Sequence, residues 1–80
     1  MHKQLLLNAR AEALFAAPVS VHDRPSRPVL DQLIASAVRR HEGVRGCACE
    51  VATAYGERPE TAAARMRWAR AVVESAYSHD

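Results

Sequence analysis

Residues 50–66 read EVATAYGERPETAAARM, two helical stretches interrupted between Gly56 and Pro59. A short helix carries a small residue, Ala52, on its inner face, then Tyr55, then Gly56. A three-residue turn leads to Pro59, which opens a longer helix. Two helices that cross closely at a steep angle need a small side chain where they touch. A tight turn between them needs a residue that accepts positive φ. Ala52 and Gly56 meet those needs, so the stretch fits the grammar of a helix-turn-helix. The same residues also fit an ordinary helical hairpin with a Gly-Pro turn.

Upstream, the cleanest amphipathic pattern lies between about residues 28 and 42. Leu30, Leu33, Ile34, Ala37, Val38 and His41 share one face of a helix there, at the 3.6-residue period. Pro28 suits the first turn, where a missing N–H costs nothing, and Ser26 is placed to cap the free N–H groups. Gly43 is expected to supply the left-handed stop. An earlier helix is expected over residues 3–16, with Leu7, Ala11, Leu14 and Phe15 inward, Leu6 and Ala13 widening that face, and Pro18 ending it. Pro18, Pro25 and Pro28 leave no regular element in the linker 18–28. Downstream, a short helix is expected over 45–55, with Ala48, Val51, Ala52 and Tyr55 inward. The last helix should run over 59–77, with Ala62, Met66, Ala69, Val73, Ala76 and Tyr77 on one stripe. A second stripe holds Thr61, Ala64, Trp68, Val72 and Ser75. No stretch alternates like a strand. The fold class is therefore all-α: a compact bundle of four helices in a single domain, the last two helix-turn-helix-like.

The Glu50–Met66 stretch resembles the C-terminal helix-turn-helix of alternative sigma factors. Glu50, Val51, Ala52, Gly56, Thr61, Arg65 and Met66 stand at matching offsets, and Arg67 and Arg70 continue the basic character. The resemblance implies a small DNA-binding or transcription-associated regulator, with duplex DNA as partner and the start of the last helix in the major groove. Thr61 and Arg65 would then contact phosphate or bases, and Arg58, Arg67 and Arg70 phosphate. This chain departs from the pattern at Glu57, where an apolar residue normally packs under the turn, and at Ala62, where Val or Ile is usual. Glu57 and Glu60 also place negative charge where phosphates would approach. Residues 45–69 are similar, besides, to a segment of short actinobacterial proteins with no established activity.

The net charge is +2, which permits a nucleic-acid partner without requiring one. Ten of the eleven cationic residues are arginine, and Lys3 is the lone lysine. Arginine forks suit phosphate and guanine, but a GC-rich genome enriches arginine and alanine together. Trp68, the lone tryptophan, reads first as a core anchor packed against the first helix; the other reading makes Trp68 and Val72 candidate interface residues, for a homodimer or another protein with no nucleic-acid role. Cys47 and Cys49 point about 200° apart on a helix, so they cannot both hold one metal without unwinding it; they read as small buried cysteines, and neither metal nor cofactor is expected. His41 reads as a packed histidine near a helix end. No Gly-rich phosphate loop, nucleophile motif or shared-face carboxylate pair suggests an enzyme. The longest apolar run, Leu5-Leu6-Leu7, is far short of the roughly 18 residues that a membrane span needs. No membrane association and a cytoplasmic location are expected.

Overall fold

The computed structural model describes residues 2–78, with side chains from Gln4 onward. Helix α1 spans His2–Ala16, α2 Arg27–Arg40, α3 Val44–Glu57 and α4 Pro59–Tyr77. No strand occurs among the described residues, so the all-α bundle of four helices is the fold. Its centre is α1, which packs against all three other helices. Ala11, Ala13 and Ala17 are what make that possible. All three are buried, and their small side chains let neighbours approach closely, while Leu14 and Phe15 fill the space between. The main core joins these to Leu30, Val51, Ala62, Trp68, Ala69, Val72 and Val73, and a smaller one gathers Ala13, Ala17, Ala37 and Cys47. Helix α1 folds back within its own chain; the radius of gyration is 11.6 Å, the value for 80 residues at ordinary density.

The boundaries follow local chemistry. Pro18 disfavours helical backbone just before it, and α1 ends at Ala16. Pro28 opens α2 as expected, but Ser26 makes no side-chain cap bond; its carbonyl instead receives Leu30 N–H at 2.8 Å. Helix α2 ends at Arg40, two residues earlier than expected, in a Schellman arrangement. Gly43 N–H reaches Val38 O at 2.7 Å, and Glu42 N–H reaches Arg39 O at 3.2 Å. The left-handed residue is therefore Glu42, at φ 62°, and not Gly43, which follows at φ 118°.

Helix α3 differs most from expectation. It begins one residue before the expected start and runs two past the expected end, through Gly56 to Glu57. Glu42 and Gly43 are the positive-φ residues among those described, so Gly56 makes no turn. A single residue, Arg58, at φ −143° and ψ 73°, separates α3 from α4. Pro59 is the cause: its ring pushes the preceding residue into extended backbone and then fits the first turn of the next helix. The inner face of α3 is Cys47, Val51 and Ala54. Ala52, one residue on from Val51 and about 100° round the helix, is exposed. The close crossing expected at Ala52 is absent. The close approach in this region occurs at Gly46, where an added Cβ would lie 1.7 Å from the His41 carbonyl oxygen.

Candidate functional site

The arginines expected on a DNA-facing surface are divided by the fold. Arg65 turns inward. Its Nε donates to Phe15 O at 2.9 Å and its Nη2 to Ala17 O at 2.8 Å, satisfying carbonyls that the end of α1 leaves without helical partners. Its guanidinium also lies 5.0 Å from the Trp68 ring and 5.6 Å from the Phe15 ring. Burial there lowers its pKa below the ordinary arginine value. Arg70 is half-buried and donates to Asn8 Oδ1 at 2.9 Å. Arg58, Thr61 and Arg67 are exposed. The five residues therefore do not form one cationic face. The outward stripe of α4 is Glu60, Ala64, Arg67, Ala71 and Glu74, with one arginine between two carboxylates.

Trp68 and Val72 are core residues, 8% and 5% exposed, in one cluster with Leu14 and Phe15; Trp68 is thus a core anchor, and the alternative that made the two an interface is corrected. The Trp68 indole N–H donates to Asp23 O at 3.0 Å, so this ring ties the proline-rich linker to the bundle. Tyr55, expected inside, lies at the edge of α3, stacked against Phe15 with centroids 6.4 Å apart. Cys47 is buried as expected, with Sγ 3.7 Å from Ala37 O, whereas Cys49, expected inside, is exposed, because two residues turn a helix by about 200°. No group of three or more His, Cys, Asp or Glu among the described residues could hold a metal. No helix there is long and apolar enough to cross a membrane.

What the fold leaves open is a ledge and a groove at one end of the molecule. Leu5 is 68% and Leu6 51% exposed; Leu6, expected to widen the inner face of α1, points largely to solvent. Among the described side chains of α1 the fully buried positions begin at Ala11, with Leu7 packed at the edge of the core, and this first half of the helix lies beside the last turns of α4. Between them lies a groove of about 350 Å³, walled by Leu6, Leu7 and Arg10 of α1 and by Val73, Glu74 and Tyr77 of α4. Polar contacts fix both walls. Arg70 ties α4 to Asn8. The Tyr77 ring is sandwiched between the Arg10 and Arg27 guanidinium groups, at 3.8 and 4.1 Å. The Tyr77 hydroxyl donates to Asp31, which also pairs with Arg27 at 3.5 Å. Burial raises the Tyr77 pKa, and Asp31 adds to the rise.

The sequence offered two signals for this arrangement. Arg65 lies three residues from Ala62 and Trp68 and seven from Val72, which places it at the edge of the inward stripe. Leu5 and Leu6 are consecutive, so both cannot face one core line. No protein-family model, curated protein or solved structure matches the chain.

Proposed function

We propose that the protein is a helical interaction module that takes an amphipathic partner helix into the groove between α1 and α4. The observation that carries this is the exposed Leu5–Leu6 pair beside an apolar groove whose walls are already fixed. Exposed apolar surface that is contiguous and rimmed by charge marks contact sites. Rigid walls reduce the ordering cost of binding. An apolar helix face laid into such a groove is a recurrent recognition mode.

Photo-crosslinking tests this. A photoreactive amino acid at Leu6 of the full chain, in the cells that make it, is expected to yield a discrete adduct. The adduct should vanish when Leu5→Asp is added, and the same probe at Ala64, on the outer face of α4, should give none. No adduct from Leu6, or equal labelling from Ala64, overturns the proposal.

A second reading, duplex DNA, rests on one observation. Arg39, Arg40 and Arg45 are all exposed around the three-residue turn from α2 to α3. Retardation of duplex DNA at low salt, weakened by Arg40→Ala with Arg45→Ala and falling steeply as salt rises, is its expected result. Absence of retardation at low salt removes it.

A further inference from the structure

We infer that the helix received by this groove is α1 of a second copy of the same chain, an inference that rests on the interaction-module reading above. Ledge and groove are neighbours on one surface, and Leu6 belongs to both. A surface with a projection beside a matching recess is self-complementary. A two-fold axis then seats each ledge in the other copy's groove and closes the assembly at two chains.

Charge supports the same geometry. The α1 wall carries Arg10 and the α4 wall carries Glu74. An axis running along the groove lays α1 of one copy on α4 of the other. Arg10 then faces the second copy's Glu74, twice over. Glu74 is exposed and makes no hydrogen bond or ion pair among the described residues, so its carboxylate is free to take that role. The alternative axis, across the groove, sets Arg10 against Arg10 and Glu74 against Glu74, and like charges select against it. Size argues in the same direction: a chain of 80 residues buries a smaller fraction of its surface than a larger domain does, and pairing covers Leu5 and Leu6.

Sedimentation equilibrium on the purified full chain tests this. Twice the chain mass is expected at micromolar concentration. Leu5→Asp with Leu6→Asp should give a monomer with unchanged helical circular dichroism, because both side chains stand outside the core. Glu74→Arg should weaken pairing by roughly tenfold or more, since each contact then sets like charges together. Adding Arg10→Glu to Glu74→Arg should restore pairing. Since Arg10 also covers Tyr77, the comparison uses variants whose helical signal is native. A wild-type monomer up to several hundred micromolar overturns the inference, as does a dimer that survives the Leu5/Leu6 double substitution. The Leu6 crosslink separates this inference from the reading beneath it. An adduct of twice the chain mass supports both. An adduct of another mass overturns the second copy and leaves the interaction module standing, and no adduct overturns both.

Discussion

Two glycines in α3 should respond to alanine with opposite signs, and the difference tests where this helix touches a neighbouring backbone and where it runs on without a turn. At Gly46 an added Cβ lies 1.7 Å from the carbonyl oxygen of His41, 2.7 Å from its carbonyl carbon and 3.1 Å from its Cβ. Carbon and oxygen approach to about 3.3 Å in tight backbone contacts, so the start of α3 and the end of α2 must separate by about 1.6 Å. The obstacle is backbone, which no rotamer change relieves. Overpacking of this kind costs about 1–3 kcal/mol or more, and the backbone obstacle places Gly46→Ala at or above the upper end. Alanine returns about 1 kcal/mol of helix propensity, leaving a net loss of about 2 kcal/mol. For a domain of this size that lowers Tm by about 10 °C. At Gly56 an added Cβ meets nothing within 4 Å, and the residue is helical. Gly56→Ala should therefore gain about 0.5–1 kcal/mol, raising Tm by a few degrees. Urea and thermal unfolding followed by circular dichroism measure both. A positive-φ turn at Gly56 predicts destabilisation by Gly56→Ala, so that result would refute the continuous α3. A neutral Gly46→Ala would refute the close approach to His41.

Four further outcomes follow from particular contacts. Arg65→Ala should cost about 2 kcal/mol, because it removes two charge-assisted bonds from the carbonyls of Phe15 and Ala17; unchanged stability in urea would show that Arg65 is a surface residue. Glu42→Gly should gain about 1 kcal/mol, since a left-handed conformation is costly for a residue with a Cβ and free for glycine; a loss of stability contradicts the Schellman arrangement. Tyr77 has its pKa raised on folding above the ordinary 10.0, so the folded state holds its proton more tightly than the unfolded one. That stability is present below pH 10 and is lost as pH climbs through the folded-state value. Tyr77→Phe should flatten the decline measured by urea titration above pH 10, and a decline of unchanged slope counts against the contact with Asp31. Cys49 should react with a thiol reagent at once and Cys47 only on unfolding, its thiol being buried and its pKa raised mainly by that burial; equal rates would place Cys47 at the surface.

The helices were legible because their boundaries are written in prolines. Pro18, Pro28 and Pro59 each impose a backbone state by covalent geometry alone, whatever surrounds them. The inward residues of α2 were legible for a similar reason, since Leu30, Leu33, Ile34 and Ala37 admit one apolar face. The turn between α3 and α4 was misplaced because Gly56 permits positive φ without requiring it, whereas Pro59 leaves Arg58 little choice. Gly46 is less legible: a glycine inside a helix costs about 1 kcal/mol and so asks for a packing reason. That reason, the carbonyl of His41, is a backbone group and leaves no mark in the apolar pattern. The ledge at Leu5 and Leu6 was half-legible. Periodicity shows that α1 is apolar around more than one face, but not which of those faces the bundle leaves uncovered.

The arginines show why composition misled the reading of the site. In a bundle whose central helix meets its neighbours partly through the small side chains of Ala11 and Ala13, few side chains are long enough to reach between elements and polar enough to satisfy helix ends. Arg65 closes the end of α1, Arg70 ties α4 to α1, and Arg10 and Arg27 clamp Tyr77. The guanidinium fork suits carbonyls, amide oxygens and aromatic faces as well as it suits phosphate. The three half-buried arginines, Arg10, Arg65 and Arg70, leave seven exposed ones: Arg24, Arg27, Arg39, Arg40, Arg45, Arg58 and Arg67. Seven exposed carboxylates face solvent with them: Asp23, Asp31, Glu42, Glu50, Glu57, Glu60 and Glu74. A surface so balanced draws little long-range attraction to a polyanion, and the turn between α2 and α3, with Arg39, Arg40 and Arg45 exposed around it, is the place that favours the DNA reading. The apolar ledge has no such internal explanation. Nothing in the described chain covers Leu5, so the contact that accounts for it is sought between molecules.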